Sequence, residues 1–260
     1  MFRRSVLLIL SFLFLAFSVV SAESPKEWFT RGNDFFDQGK YRDAVKCYDK
    51  ALEGDPELSE AWCNRGLSLY SLEKYQEALT SCDKALELNP HSVDGWYNKG
   101  LVLVKLGRFS DVVKCFDNVL KQEPQNKASW NIKGLALAEL ENYDDALKCF
   151  DKVLDLDPGY QKASTNKGLA FFEKGKTLYV QFKYDEAVTC FGKAAEFLGD
   201  NPDLWTYKGM ALYDQGKYSD ALKCYEKALA LDAGCTKAKE GRGKALKALE
   251  KQEVEKNVEK

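Results

Sequence analysis

The chain has 260 residues, of which 30% are charged and 45% hydrophobic, with 38 basic and 40 acidic side chains. These near-equal numbers give no electrostatic argument for binding to nucleic acid, which needs a basic face to collect phosphates. The single histidine argues against most acid–base, zinc-hydrolase and catalytic-triad chemistry, because those mechanisms use imidazole as a base or ligand. We therefore expect a folded protein without enzymatic activity, cofactor or bound metal.

Residues 1–22 show the three parts of an export signal. Arg3 and Arg4 precede an apolar run over residues 6–20, and Ala22 offers a small residue for cleavage. The run is shorter than the roughly 20 residues that cross about 30 Å of hydrocarbon. We predict a cleaved signal peptide, with an uncleaved membrane anchor as the alternative, because tilting and thinning of the bilayer accommodate short spans. Either way, the remainder is predicted to be exported, and to be secreted or tethered at the outer face of the membrane.

The next feature is a repeat with a period of 34 residues, seen in Trp28, Trp62, Trp96 and Trp130. A fixed period of this length indicates stacked structural units. A glycine lies four residues after each of these places and after the two that complete the series, at Gly32, Gly66, Gly100, Gly134, Gly168 and Gly209. A small residue follows twelve residues later, or nineteen in the fifth unit with its seven extra residues, at Ala44, Ala78, Val112, Ala146, Ala187 and Ala221.

This frame divides the chain into repeated hairpins. The predicted units are 25–58, 59–92, 93–126, 127–160, 161–201 and 202–235. Each unit holds two apolar stripes with helical spacing, separated by a turn such as residues 39–41. One such hairpin cannot bury its own apolar faces, so six of them must stack to form a core.

The fifth unit has seven extra residues, which the frame places at 177–183. Seven residues is about two helical turns. The first helix can therefore extend while the second keeps its register, with a longer loop as the alternative. Leu178, Tyr179 and Phe182 would then share one side. That side either packs on the neighbouring hairpin or offers a contact to a partner or a membrane surface.

The end of the chain, residues 236–260, is predicted to form a capping helix and a polar tail. Ala238, Ala245, Leu246 and Leu249 are expected to face inward. Terminal units of a repeat array need a polar outer face of this kind.

Two further rows recur with the same period. A basic residue precedes each repeat glycine, at Arg31, Arg65, Lys99, Lys133, Lys167 and Lys208. We expect their stems to pack along the hairpin and their charges to pair with an acidic row. That acidic row is Asp43, Glu77, Asp111, Asp145, Glu186 and Asp220.

The second row is of cysteines, at Cys47, Cys115, Cys149, Cys190 and Cys224. Equivalent residues of stacked helices lie about 8–10 Å apart. That separation exceeds the roughly 7 Å limit between the Cα atoms of a disulfide. We predict buried thiols that pack like small apolar residues.

Taken together, the tryptophan, the glycine four residues on, the later alanine and aromatic residue, and the closing proline resemble the tetratricopeptide repeat. The resemblance covers residues 25–235. It implies an all-α fold, a right-handed α-solenoid or superhelix of six helical hairpins with a C-terminal capping helix. It also implies a concave groove lined mainly by the first helix of each hairpin.

In this family the groove is formed mainly by the second, fifth, sixth, ninth, twelfth and thirteenth places of each repeat. Asparagine offers a donor and an acceptor to a peptide backbone, and aromatic residues offer a rigid contact surface. Applied to this chain, these places predict a partner-binding groove that includes Phe29, Asn33, Asn64, Tyr70, Tyr97, Asn98, Asn131, Asn166, Tyr207 and Tyr213.

The sequence thus predicts a non-enzymatic scaffold that binds an extended peptide or a helix of a partner protein in its groove. One alternative is an accessory or assembly subunit of an envelope or membrane complex that docks by its convex face or by residues 177–183. The other alternative is an enzyme or cofactor protein that uses the cysteine row.

Overall fold

The structure is a computed structural model that describes residues 23–258, and this range forms thirteen α-helices and no strands. The predicted all-α class is therefore confirmed. The predicted export signal over residues 1–22 lies outside the described residues. In the part of the chain that is described, every helix is too short or too polar to span a bilayer.

The helices belong to two compact units, with the division between His91 and Ser92. The first unit contains two helical hairpins. Its helices are α1 (Pro25–Asp37), α2 (Tyr41–Gly54), α3 (Ser59–Ser71) and α4 (Tyr75–Leu88). Helix α2 packs on α3 and so joins the two hairpins. Helix α1 begins with a capping box, in which Ser24 and Glu27 each accept a hydrogen bond from the other's backbone N–H.

The second unit contains four hairpins and a terminal helix. Its helices are α5 (Val93–Lys105), α6 (Phe109–Gln122), α7 (Lys127–Glu139), α8 (Tyr143–Leu156), α9 (Gln161–Val180), α10 (Tyr184–Ala195), α11 (Pro202–Asp214), α12 (Tyr218–Leu231) and α13 (Thr236–Val258). The second helix of each hairpin packs on the first helix of the next, and α13 packs on α11 and α12.

Each hairpin is held together by a glycine on the first helix that touches a large side chain or a thiol on the second. A Cβ atom built on Gly134 would lie 2.6 Å from the ring of Phe150, and one on Gly100 would lie 2.7 Å from the ring of Phe116. Both rings are fully buried. Because packed interiors have no room to absorb such overlaps, only glycine permits this helix separation.

The fifth hairpin corrects one prediction about the glycine row. The repeat frame assigns Gly168 to the glycine row, but Gly168 faces Phe197, and it is Gly175 that contacts the ring of Phe191, at 2.6 Å from a built Cβ. Helix α9 has 20 residues and α7 has 13, so the first helix is longer by seven residues, although residues 181–183 of the predicted insertion form the turn that follows it. Seven residues make almost two full turns, which places both glycines on the same face of α9.

The capping helix α13 corrects a second expectation. Ala238 and Ala245 are fully buried, as predicted, but Leu246 is 42% exposed. Ala238, Gly241 and Ala245 form the buried face, and Gly241 packs on Tyr225. Leu246 lies one residue past that face and therefore points away from it.

The turn between the two helices of each hairpin contains one residue in the left-handed region. Three of these are glycines and three are not, at Gly39, Gly107, Gly216, Glu73, Glu141 and Phe182. A left-handed backbone costs a non-glycine residue about 1–2 kcal/mol. Phe182, with φ of 61°, is the bulky member of the set.

Candidate functional site

Four of the five predicted asparagines are joined in pairs by hydrogen bonds between neighbouring first helices. In the first unit, Asn64 Nδ2 donates to Asn33 Oδ1 at 2.9 Å, and the Tyr48 hydroxyl donates to the same oxygen at 2.8 Å. Burial raises the pKa of Tyr48, so this hydroxyl stays protonated and donates. Both lone pairs of the Asn33 oxygen are therefore used within the protein.

The second unit has a bond between two asparagines as well, with the acceptor at a different place of the repeat. Asn166 Nδ2 donates to Asn131 Oδ1 at 2.9 Å and links the first helices of two neighbouring hairpins. Asn98 and Asn131 are each only 8% exposed. These amides hold the first helices in register, and a bound peptide can use what they leave, such as the second N–H of Asn166.

The predicted aromatic residues are fixed by rings of the helices packed beside them. Tyr97 packs edge-on to Phe116 with ring centres 5.5 Å apart, and Tyr207 packs edge-on to Phe172 at 5.7 Å. The other three follow the same principle, in the pairs Phe29 with Tyr48, Tyr70 with Tyr75, and Tyr213 with Tyr218. All five remain partly exposed, so they form a rigid surface rather than a mobile one.

A cavity of about 410 Å³ lies on this face between α7, α8 and α9. We call it the α7–α9 cavity. Its apolar floor includes Leu135 and Leu169, which are 40% and 41% exposed. Glu139, Glu141 and Glu173 contribute carboxylates to its lining.

A second cavity, of about 270 Å³, lies between α9, α11, α12 and α13. Tyr179 and Tyr213 line it, with Asp214 and two lysines of α13, Lys237 and Lys244. The Tyr179 hydroxyl donates to Asp214 Oδ2 at 2.7 Å. Burial raises the pKa of Tyr179, and the Asp214 carboxylate adds to this effect. The Tyr179 phenol therefore remains neutral, and its hydrogen bond to Asp214 closes part of this cavity.

Of the ten predicted groove residues, Asn166 lines the α7–α9 cavity and Tyr213 lines the second one. The sequence-based selection missed Leu135 and Leu169. Both hold the ninth place of their repeats, as do Leu67, Leu101 and Met210. The signal was present in the repeat frame, which assigns this place to the groove. The two leucines were not selected as groove residues, because leucine in a helical stripe usually indicates a buried core position.

The basic row does not pair with the acidic row as expected. Arg65 pairs with Asp49 at 2.6 Å, and Lys133 pairs with Asp117 at 2.6 Å, each on the second helix of the preceding hairpin. Lys167 and Asp151 form the equivalent pair. The acidic row pairs instead with lysines on its own helix, in Asp43 with Lys46, Asp111 with Lys114, Asp145 with Lys148 and Asp220 with Lys223.

The cations of the basic row also lie over aromatic rings. Lys133 lies over the ring of Trp130, with Nζ 5.2 Å from the ring centre, and Lys208 lies over Trp205 at 5.3 Å. Lys167 makes its pair with Asp151 beside the ring of Phe197, so a tryptophan on the same helix is not required for pairing with the preceding hairpin. Arg65, Lys133 and Lys167 therefore link neighbouring hairpins.

The cysteine row is buried along its whole length. Burial raises the pKa of Cys149 to about 11 and also raises the pKa of Cys190 and Cys224. Thiols with such pKa values are protonated at neutral pH and are poor nucleophiles. Among residues 23–258 no group of three or more His, Cys, Asp or Glu side chains is arranged to hold a metal ion.

Comparison with solved structures shows the same fold. YrrB, described as a TPR protein with an unusual peptide-binding site, is 22% identical, with a TM-score of 0.56 over 76% of this chain and 99% of that chain. MamA from Desulfovibrio magneticus RS-1 is 22% identical, with a TM-score of 0.57 over 68% and 96%. A tetratricopeptide repeat protein from Parabacteroides merdae is 21% identical, with a TM-score of 0.55 over 89% of each chain.

Family models give the assignment in sequence. One tetratricopeptide repeat model matches residues 29–93, 97–161 and 133–178, and a second matches residues 202–235. A search of curated protein sequences found no match. Because the first model alone matches more than half of the chain, with its repeats where the helical hairpins lie, the protein belongs to the tetratricopeptide repeat family.

Proposed function

We propose that this protein is a non-enzymatic scaffold that binds a segment of a partner protein on the face formed by its first helices. The observation that carries the proposal is the α7–α9 cavity, where Leu135 and Leu169 are exposed at equivalent places of neighbouring first helices. Tetratricopeptide repeats generally mediate protein–protein interaction, and YrrB is a relative described as having a peptide-binding site.

A partner side chain that covers these two leucines removes their apolar surface from water. Burial of apolar surface contributes about 25 cal/mol per Å². A partner side chain that enters the cavity gains this contribution from both leucines at once, on a surface that the hairpin packing already holds rigid. A preformed surface of this kind does not lose ordering entropy on binding.

Polar contacts at the same place give direction to the bound segment. The second N–H of Asn166, left over from its bond to Asn131, is a donor for a backbone carbonyl of the partner. The predicted groove residues thus contribute to binding mainly by holding the helices in register.

A second candidate is docking through the end of the fifth hairpin. Val180 and Phe182 are 72% and 77% exposed. Leu178 and Tyr179 pack inward, so only part of the extra segment is presented. This observation keeps an accessory-subunit role as the competing proposal.

The test is site-specific photo-crosslinking in the native host, with a photoreactive residue at 135, at 182 or at Leu231. Leu231 is 40% exposed on a second helix and serves as the matched control. We expect one partner to crosslink at 135 and none at 231. Leu169→Ser should weaken the crosslink at 135, and Leu135→Ser/Leu169→Ser should abolish co-purification of that partner. If crosslinks at 182 survive this double substitution, the partner binds at the end of the fifth hairpin and not at the two leucines.

Export remains part of the proposal. The first 22 residues support it by their charge and apolar run. N-terminal sequencing of the mature protein tests it, since cleavage after Ala22 is expected and an intact N-terminus in a membrane fraction would favour the anchor.

A further inference from the structure

We propose that the α7–α9 cavity selects a cationic amphipathic segment, one with a large apolar side chain flanked by lysine or arginine. This inference rests on the proposed function and names the chemistry of the partner. It follows from an apolar floor, an uncompensated acidic rim and the direction of the α7 helix dipole.

The floor accepts an apolar side chain. Leu135, Ala138 and Leu169 line it, and the volume of about 410 Å³ is within the range of about 300–1,000 Å³ typical of ligand pockets. The floor is open, because both leucines keep about two-fifths of their surface exposed. A leucine or phenylalanine of the partner is the complement to this surface.

The rim is acidic where the helix end is already negative. Glu139 is the last residue of α7 and Glu141 lies in the following turn, and the C-terminal end of a helix carries partial negative charge. Helix α7 has no basic residue in its last turn. Within the described residues neither glutamate makes an ion pair, whereas Glu173 is paired with Lys176 at 2.7 Å.

The third hairpin shows that the family frame does not require these acids. Lys105 holds the place of Glu139 in α5, and Gly107 holds the place of Glu141. The lysine matches the dipole of its helix end and the glycine takes the left-handed turn without strain. Glu141 has neither advantage at φ of 58°. Glu139 and Glu141 therefore destabilise the free protein, and a cation that binds beside them offsets this cost.

The charges of the rim also exclude an acidic partner. An acidic segment in the cavity would meet Glu139 and Glu141 with no basic residue to offset them, which is how interfaces reject wrong ligands. A cationic segment gains attraction and faster association from the same two charges.

The experiment measures binding of fluorescent peptides to the full chain by anisotropy. The probes are three short peptides, with two central leucines flanked by lysines, the same leucines flanked by glutamates, and lysines with serines in place of the leucines. We expect only the first to bind, and its affinity to fall at about 1 M salt, where the screening length is about 3 Å.

Matched variants assign the effect to the rim. Glu139→Gln/Glu141→Gln is expected to weaken binding of the lysine–leucine peptide about five-fold, as two exposed charge pairs would. Glu73→Gln is the control, because Glu73 holds the same left-handed turn place in the first unit. It is expected to change nothing, and circular dichroism should show the same helix content in all variants.

The outcomes separate this inference from the proposed function. If the glutamate-flanked peptide binds as tightly as the lysine-flanked one and Leu135→Ser/Leu169→Ser abolishes both, the groove function stands and the cationic selection is wrong. If that double variant leaves all binding unchanged, the proposed function itself fails. A second copy of this chain could instead place its exposed Leu246 in the cavity. If the free chain self-associates, and Leu246→Ser both abolishes self-association and restores peptide binding, a second copy occupies the cavity and the proposal is overturned.

Discussion

The fourth and fifth hairpins solve the same packing problem with first helices of different length. In α7–α8, Gly134 touches the ring of Phe150, and in α9–α10, Gly175 touches the ring of Phe191. The spacing from glycine to ring is 16 residues in both. Helix α9 is seven residues longer than α7, yet the contact inside the hairpin is unchanged. The glycine–ring contact, rather than the distance from the start of the repeat, therefore determines how the two helices align.

The longer helix has two registers along its length. Its first half keeps the register of a regular repeat toward the preceding hairpin, shown by the pair of Lys167 with Asp151, which is equivalent to that of Lys133 with Asp117. Its second half keeps the register toward α10 through Gly175. An addition of two turns preserves both faces, because it rotates the helix by almost whole turns. A shorter addition would have turned one of the two faces away.

The largest expected effect comes from blocking the glycine–ring contact in either hairpin. Gly175→Ala and Gly134→Ala place a Cβ 2.6 Å from a ring that is fully buried and cannot move aside. We expect each to destabilise its unit by about 1–3 kcal/mol, measured by urea unfolding. Similar losses at both sites would support the equivalence of the two contacts.

The matched control for this substitution is Gly192→Ala in α10. Nothing lies within 4 Å of a Cβ at Gly192, so this change should raise stability by about 0.5–1 kcal/mol through helix propensity. If Gly175→Ala were as stable as Gly192→Ala, Gly175 would not be the packing glycine of the fifth hairpin.

A smaller effect is expected at the ends of the two hairpins. Glu141 and Phe182 both have left-handed backbones, with φ of 58° and 61°. Replacement by glycine should raise the free energy of unfolding by about 1 kcal/mol at each site. Phe182→Gly additionally removes a side chain that is 77% exposed, so it should also reduce self-association at high protein concentration. A loss of stability in Phe182→Gly would mean that the ring contributes packing that outweighs its strained backbone.

These two hairpins also show which features were predictable from sequence. Helices α7, α8 and α10 follow from apolar periodicity and from the recurring tryptophan, glycine and aromatic residues, because each of those marks a place in one hairpin. The choice between Gly168 and Gly175 did not follow. The two glycines lie two turns apart on one face of a single helix, and only the three-dimensional contact with Phe191 distinguishes them.

The candidate site was predictable in outline only. Asn166, which the repeat frame assigns to the groove, lines the α7–α9 cavity. The bond between Asn166 and Asn131 could not be inferred, because it depends on the distance between two stacked helices. The exposure of Leu135 and Leu169 was hidden for a similar reason, since an apolar side chain in a helical stripe is equally consistent with a core and with a groove.

The smallest expected effect concerns the basic row, where the two hairpins differ in the ring beneath the cation. Lys133 lies over Trp130 of its own helix, whereas Lys167, in the repeat that has Ser164 in place of tryptophan, lies 5.3 Å from the ring of Phe197. Both lysines pair with an aspartate of the preceding hairpin at 2.6 Å. We expect Lys133→Met and Lys167→Met to lower the free energy of unfolding by less than about 1 kcal/mol each, because partly exposed pairs contribute little.

The informative quantity is the salt dependence of these two losses. The ion pair weakens as salt screens it, while methionine retains the apolar contact of the lysine stem with the ring. If the pair with aspartate is the main contribution, the two losses should be equal and should vanish at about 1 M salt. A loss at Lys133 that persists in high salt while that at Lys167 disappears would show that the tryptophan ring, and not the aspartate, is what holds this row in place.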